Sequence, residues 1–166
     1  MYLTVKQQLK HLSKEDYENL RSLCHTAKDL TNQAIYCCRQ YFFNEHKHLG
    51  YEKVYAELKS CDNYKLIAAN MSQQLLKEVD GSFKSFFGLL KLVKEKGYPA
   101  SAVKIPHYLP KDGFTPLVVQ EFSIRDGIFV LPYSRSYNKD HSKVKIKVPP
   151  ILEDKKVKEI RIIPKN

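Results

Sequence analysis

No stretch of this chain approaches the roughly 18 consecutive apolar residues of a membrane-spanning helix, and its N-terminus lacks the apolar core of a secretory signal. A cytoplasmic protein without a membrane partner is expected. The four cysteines, Cys24, Cys37, Cys38 and Cys61, include no C-x-x-C pair, which removes the usual zinc and redox frameworks. They read as small core or near-surface residues. His46 and His48 flank Lys47 after Glu45, yet no third ligand stands at helical or hairpin spacing, so no metal site is expected. Clustered carboxylates at the spacing of a two-metal phosphodiester site are also missing, which argues against an enzyme in this chain alone. Low-complexity segments and internal repeats are absent, and 43% hydrophobic with 28% charged residues is a globular composition rather than a disordered one.

What is scarce in charge is the acidic sign. Asp and Glu number 18 against 28 Lys and Arg, a formal net charge of +10 over 166 residues. The imbalance is uneven: 15 basic against 11 acidic residues up to position 100, then 13 against 7. A field of this sign favours polyanions and makes their binding salt-dependent.

Residues Tyr2 to Gln7 alternate like a strand. Ser13 with Asp16 forms a capping box, with Glu15, Asp16 and Glu18 in the first turn where the helix dipole favours them. From there Tyr17, Leu20, Cys24, Ala27, Leu30, Ala34, Cys38 and Tyr41 keep one helical face, as one long helix or two bent near Thr31-Asn32. A break at His48-Leu49-Gly50 precedes a short helix, Tyr51 to Lys59, and a polar loop from Cys61 to Lys65. Beyond Gly97, prolines and glycines separate short β-like runs: Val103 to Ile105, Leu117 to Ile124, Ile128 to Leu131, Lys143 to Val148 and Val157 to Ile163. Asp126-Gly127 reads as a hairpin turn. In the Lys143 to Val148 run the period is two, so Val144, Ile146 and Val148 face a core while Lys143, Lys145 and Lys147 share the other face. Three such lysines suit an anion above them, or an edge strand guarded against aggregation. A strand, then helices, then many short strands makes an α+β chain.

The segment Met71 to Pro106 writes two stripes along one helix. Leu76, Val79, Phe83, Phe86, Leu90 and Val93 form an apolar seam at three-four spacing. Gln74, Lys77, Gly81, Lys84, Gly88 and Lys91 follow the same rhythm one flank over, bordered by Gln73. Each interior glycine costs about 1 kcal/mol relative to alanine, so two on one polar flank point to something bulky approaching the backbone, such as a sugar-phosphate chain. An ordinary amphipathic helix with a solvated lysine face meets the same pattern.

The run QQLLKEVDGSFKSFF, a Gly-Tyr break and then KIPHYLPKDGF resembles the N-terminal half of the TnpB (OrfB) proteins of bacterial insertion sequences, compact RNA-guided nucleases related to type V CRISPR effectors. YLTVKQQLKHLSKEDYENL, LTNQAIYCCRQYFF, Leu131-Pro132 and KEIRIIPKN extend the similarity over essentially the whole chain. The resemblance implies an oligonucleotide-binding-like β-barrel, the wedge domain, with its first strand in residues 1–10 and its remainder in 97–166. A helical recognition lobe, 11–96, is inserted between them. It also implies guide RNA and duplex DNA bearing a short target-adjacent motif as partners. Family members continue into a RuvC-like nuclease domain that holds divalent metal. That domain is not in this sequence, so this chain is expected to carry no cofactor and to be the recognition half of such a protein, with a C-terminal nuclease half as a further partner.

By position in the motif, Gln73 with Tyr51, and secondarily Asn70, fall where the family reads the target-adjacent motif. A glutamine amide can pair bidentately with adenine in the major groove. Gln74 lies on the same flank, and Lys77, Lys84 and Lys91 suit phosphates, which position without specifying sequence. Lys104 on the Pro-bearing basic segment and Lys143, Lys145 and Lys147 complete the candidate nucleic-acid contacts. A rival reading is a stand-alone or nuclease-dead DNA-binding regulator that represses by occupancy.

Overall fold

The computed structural model describes residues 3–152 and 154–165. Four helices precede small antiparallel sheets, an α+β arrangement. Helix α1, Lys14–Glu45, begins where Ser13 Oγ accepts the Asp16 N–H at 3.0 Å and ends where His46 turns left-handed. It runs unbroken through Thr31-Asn32 and buries Leu20, Leu23, Cys24, Ala27, Leu30, Ala34, Ile35 and Cys38. Tyr17 departs from the expected face and is exposed. The first turns of α1 meet a polar segment instead: Glu15 accepts from the Ser142 N–H and hydroxyl, and Asn19 Nδ2 donates to Ser142 O.

Helix α2, Tyr51–Leu58, follows the expected break. The polar loop expected at Cys61 to Lys65 is instead a one-turn helix, α3, Asp62–Leu66. The Cys61 thiol accepts the Tyr64 N–H at 3.4 Å and so acts as an N-cap in a residue type rarely credited with that role.

Helix α4, Ala69–Lys96, carries the seam. Leu76, Val79, Phe83 and Phe86 are buried, whereas Leu90 and Val93 are only partly covered. Phe42, one turn before the end of α1, sits edge-on to Phe86 and Phe87 at 5.3 and 5.5 Å, so the last two turns of α4 run past the end of α1.

Residues 103–116 return along α1 as an extended strap, not as the strand expected at Val103 to Ile105. Pro106 and Pro110 bring no N–H to a ladder, and side chains of α1 take over the pairing. Arg39 donates to Pro106 O at 2.9 Å, Asn32 exchanges two hydrogen bonds with the Leu109 backbone at 3.0 and 2.8 Å, and Lys28 donates to Lys111 O at 2.7 Å. The Thr115 N–H closes the strap on Cys24 O.

The Leu117 to Ile124 run divides between two sheets. β1, Leu117–Val119, is wholly buried and pairs antiparallel with β5, Ile160–Ile162, Val118 opposite Arg161. β2, Ile124–Arg125, turns through Asp126 and Gly127, both at positive φ as a type I′ hairpin requires, into β3, Ile128–Val130. β3 pairs with β4, Lys145–Lys147, with Phe129 opposite Ile146. The lysine alternation holds: Val144 is buried, Ile146 and Val148 are half-buried, and Lys143, Lys145 and Lys147 are exposed. Residues 3–10 form no strand, and Tyr2 lies outside the described residues. This segment meets β4 through a side chain, Gln7 Nε2 donating to Lys147 O at 3.0 Å. One apolar cluster joins the helices to Leu117, Val119, Phe129, Leu131, Val144 and Ile162.

Candidate nucleic-acid interface

Gly50 has no side chain to cap α2, and the acceptor comes from another helix. Asp80 of α4, buried, takes the Tyr51 backbone N–H on Oδ1 at 3.1 Å. The same carboxylate is neutralised by Lys84 Nζ at 2.7 Å and lies 3.1 Å from His48 Nε2. This clamp fixes Tyr51 against α4. Its ring stacks on Tyr55 at 6.0 Å with 26° between planes, and the Lys77 ammonium sits 5.7 Å from its centroid. Tyr55 in turn meets Tyr64 edge-on at 6.0 Å and has the Lys59 ammonium 5.9 Å from its own centroid. Burial pushes the Tyr51 and Tyr64 phenols above their usual range, with the neighbouring Tyr55 adding to both shifts. The Gln73 amide lies beside the buried Tyr64 hydroxyl and opposes part of the shift there.

The structure therefore gathers Tyr51, Gln73, Gln74 and Lys77 at one corner of α2 and α4. Gln73 and Gln74 are half-exposed and Lys77 is exposed. Lys84 is at the same corner, but its ammonium is committed to Asp80. Asn70 is committed too: its Oδ1 accepts the Met71 N–H at 2.7 Å and its Nδ2 donates to Glu121 O at 3.2 Å, tying the start of α4 to the turn after β1. Lys91 lies two turns beyond Lys84, 3.8 Å from Glu95 and open to solvent. An added Cβ at Gly81 or Gly88 would meet nothing within 4 Å, so no packing among the described residues calls for glycine there. The backbone along this flank is open.

Lys143, Lys145 and Lys147 belong to a separate surface. The register sets Lys147 opposite Ile128 and Lys145 opposite Val130, with Arg125 opposite Ile128 on the other side. An outer face bearing Arg125, Lys145 and Lys147 follows from that pairing. A shallow cleft of about 440 Å³ adjoins it between Val5, Lys6, Gln7 and residues 147–150. None of Lys6, Arg125, Lys143, Lys145 and Lys147 forms an ion pair among the described residues. Lys104 is distant from both sets in sequence and projects from the strap, exposed.

Sequence reasoning missed Tyr55, Arg125, Lys6 and the Asp80 clamp. The i, i+4 spacing of Tyr51 and Tyr55 was a readable signal, whereas the clamp depends on a helix crossing with no local signature. All four cysteines are free, and burial pushes the Cys24, Cys37 and Cys38 thiols to about 12, far from thiolate chemistry. Among the described residues, no three His, Cys, Asp or Glu side chains stand together as a metal site. No described helix is long and apolar enough to cross a membrane. Comparison of the chain with protein-family models, with curated proteins and with solved structures gives no match.

Proposed function

We propose that this chain is a nucleic-acid-binding module of a transposon-encoded, RNA-guided DNA endonuclease, with guide RNA and motif-bearing duplex DNA as partners. The observation that carries the reading is the α2–α4 corner, where the Lys77 ammonium sits 5.7 Å over the clamped Tyr51 ring beside the amides of Gln73 and Gln74. Amides that can read a base edge next to a cation that can hold a phosphate are what duplex recognition needs. The open backbone at Gly81 and Gly88 leaves room for a sugar-phosphate chain along the adjoining flank. Unpaired cations on the outer sheet face supply a second, sequence-independent surface suited to RNA phosphates. In this reading residues 3–10, which form no strand here, occupy the place of the first strand of an oligonucleotide-binding-like barrel, beside β4, where Gln7 Nε2 donates to Lys147 O. The Gln7 contact supports that placement.

The decisive experiment is a gel-shift titration of the chain with duplex DNA pools and with RNA transcribed from its own locus. Sequence-selective retention of duplex in the presence of that RNA is the expected result. Selective retention without any RNA favours the stand-alone regulator, and no retention of either overturns the reading.

A further inference from the structure

The outer side of α1 carries a set of rings that the duplex-reading corner does not use. Tyr36, Phe43 and Tyr108 are 56%, 52% and 46% exposed, among the largest apolar side chains left open. Tyr36 and Phe43 stand seven residues apart on α1, about 10 Å along one helix face. Arg39 lies between them, its guanidinium carbon 5.6 Å from the Phe43 centroid and 5.2 Å from that of Tyr108.

The charge on Arg39 meets two rings but no carboxylate among the described residues. Its Nη1 donates to Pro106 O at 2.9 Å, and it forms no ion pair among the described residues. A guanidinium has five N–H donors, so most of them remain available. Of the α1 carboxylates nearest in sequence, Glu45 forms no ion pair with Arg39 among the described residues, and Asp29 is held by Lys28 at 2.6 Å. The rings are also rigidly mounted. Phe43 leans on Phe42 at 5.6 Å, and Phe42 is locked edge-on to Phe86 and Phe87. Tyr108 sits on the strap between Pro106, gripped by Arg39, and Leu109, gripped by Asn32.

Exposed rings spaced along a rigid surface, with an unpaired cation between them, match unpaired nucleobases joined by a phosphate. Duplexes keep their base faces covered and cannot use such rings. Acidic peptides would use Arg39 and leave the rings idle. We infer that Tyr36, Phe43 and Tyr108, with Arg39 between them, form a stacking ledge that binds single-stranded nucleic acid. Lys104 and Lys111, both exposed on the same strap, extend the ledge with phosphate partners. Base–aromatic stacking tolerates any sequence, because every base has a π-face. The ledge shares no residue with the α2–α4 corner.

The test is fluorescence anisotropy with labelled oligo-dT, oligo-U and a blunt DNA duplex, each titrated with the full chain and its variants. Replacing Phe43 and Tyr108 together by alanine is expected to weaken oligo-dT or oligo-U binding by about tenfold or more, with duplex affinity unchanged. Phe43→Tyr with Tyr108→Phe keeps both rings and is expected to bind like the parent. Should the double alanine variant melt early, Tyr36→Ala, whose ring has no aromatic partner among the described residues, reads the same loss on a smaller scale. Lys77→Ala serves as the control that moves duplex affinity and spares the single strands. The oligo-dT and oligo-U arms distinguish DNA from RNA as the strand bound. Unchanged single-strand affinity in the ledge variants overturns the inference, as does an equal loss on duplex, or Arg39-dependent binding of poly-glutamate with no oligonucleotide binding. Single-strand binding without duplex binding would retain the ledge and refute the duplex reading instead.

Discussion

The Asp80 carboxylate accepts the backbone N–H of Tyr51 at 3.1 Å, so a side chain of α4 caps α2 from outside. Removing it leaves an uncapped helix end and an unpartnered Lys84. Asp80→Ala is expected to destabilise the fold by about 1 to 2 kcal/mol, the scale of a lost N-cap, and Asp80→Asn by less because its amide oxygen can still accept. Urea denaturation of both variants checks the order. Lys84→Ala also destabilises, since it withdraws the closest cation from a buried carboxylate. A loss of nucleic-acid binding on mutating Lys84 is therefore interpretable only beside that stability measurement.

Asn32 and the Leu109 backbone exchange two hydrogen bonds, a two-point fastening of the strap on α1. Asn32→Ala leaves a backbone donor and acceptor without partners, a loss of about 1 to 3 kcal/mol where such groups are kept from water. Hydrogen exchange should rise first at residues 103–116, and limited proteolysis should cut there before it cuts α4. An Asn32→Ala strap as protected as the parent's would show that packing of Val103, Ile105 and Phe114 alone holds it.

Glu15 accepts both the N–H and the hydroxyl of Ser142, and these bonds hold its carboxyl below the ordinary value of 4.5. A depressed folded-state value means that the contribution is present above the unfolded pKa. It fades as pH falls through the lower folded value. The segment carrying Ser142, between β3 and β4, should thus loosen from α1 only on acidification below about 4.5. Carboxyl chemical shifts of Glu15, followed with the Ser142 amide signal, report this directly. In Glu15→Gln the Ser142 signal should lose that dependence.

Much of the helical half was legible because it rests on local rules. Ser13 begins α1, the seam from Leu76 to Phe86 is buried, and the Asp126-Gly127 turn folds as its residue types require. The strand pattern in the Lys143 to Val148 run also survives, because period-two burial is set by the pleat itself. What escaped the sequence depends on distant partners. Val103 to Ile105 has the composition of a strand, yet Arg39, Asn32 and Lys28 of α1 draw the segment into a strap. Leu117 to Ile124 is one apolar run in sequence but serves two sheets. Among the site residues, the engagement of Asn70 with Glu121 was invisible for the same reason, whereas the Asp80–Lys84 pair stands at i, i+4 spacing on one helix and was readable.

The basic sheet face should act through charge alone. Lys145→Ala and Lys147→Ala are exposed changes on β4 and are expected to leave stability within about 0.5 kcal/mol of the parent. Each phosphate contact removed should flatten the slope of log affinity against log salt by about 0.7 to 0.9. Titrations of RNA at several salt concentrations measure both slope and affinity. A variant that loses affinity with an unchanged slope would assign these lysines to something other than phosphate contact.

The two stripes of α4 separate fold from recognition in one set of variants. Phe83 is 1% exposed, and Phe83→Ala should destabilise by about 3 to 5 kcal/mol through the cavity it leaves. Lys77 is exposed and contributes only its position over the Tyr51 ring, so Lys77→Ala should leave the denaturation midpoint nearly unchanged. Its duplex affinity should nevertheless fall and its salt slope flatten. Gln73 is half-exposed beside Tyr64. Gln73→Ala should melt close to the parent and lose about 1 to 3 kcal/mol of discrimination at one base pair, read from affinities for a set of single-position duplex variants. If Lys77→Ala and Gln73→Ala both bind every duplex as the parent does, the α2–α4 corner is a solvated surface and the duplex-reading assignment fails there.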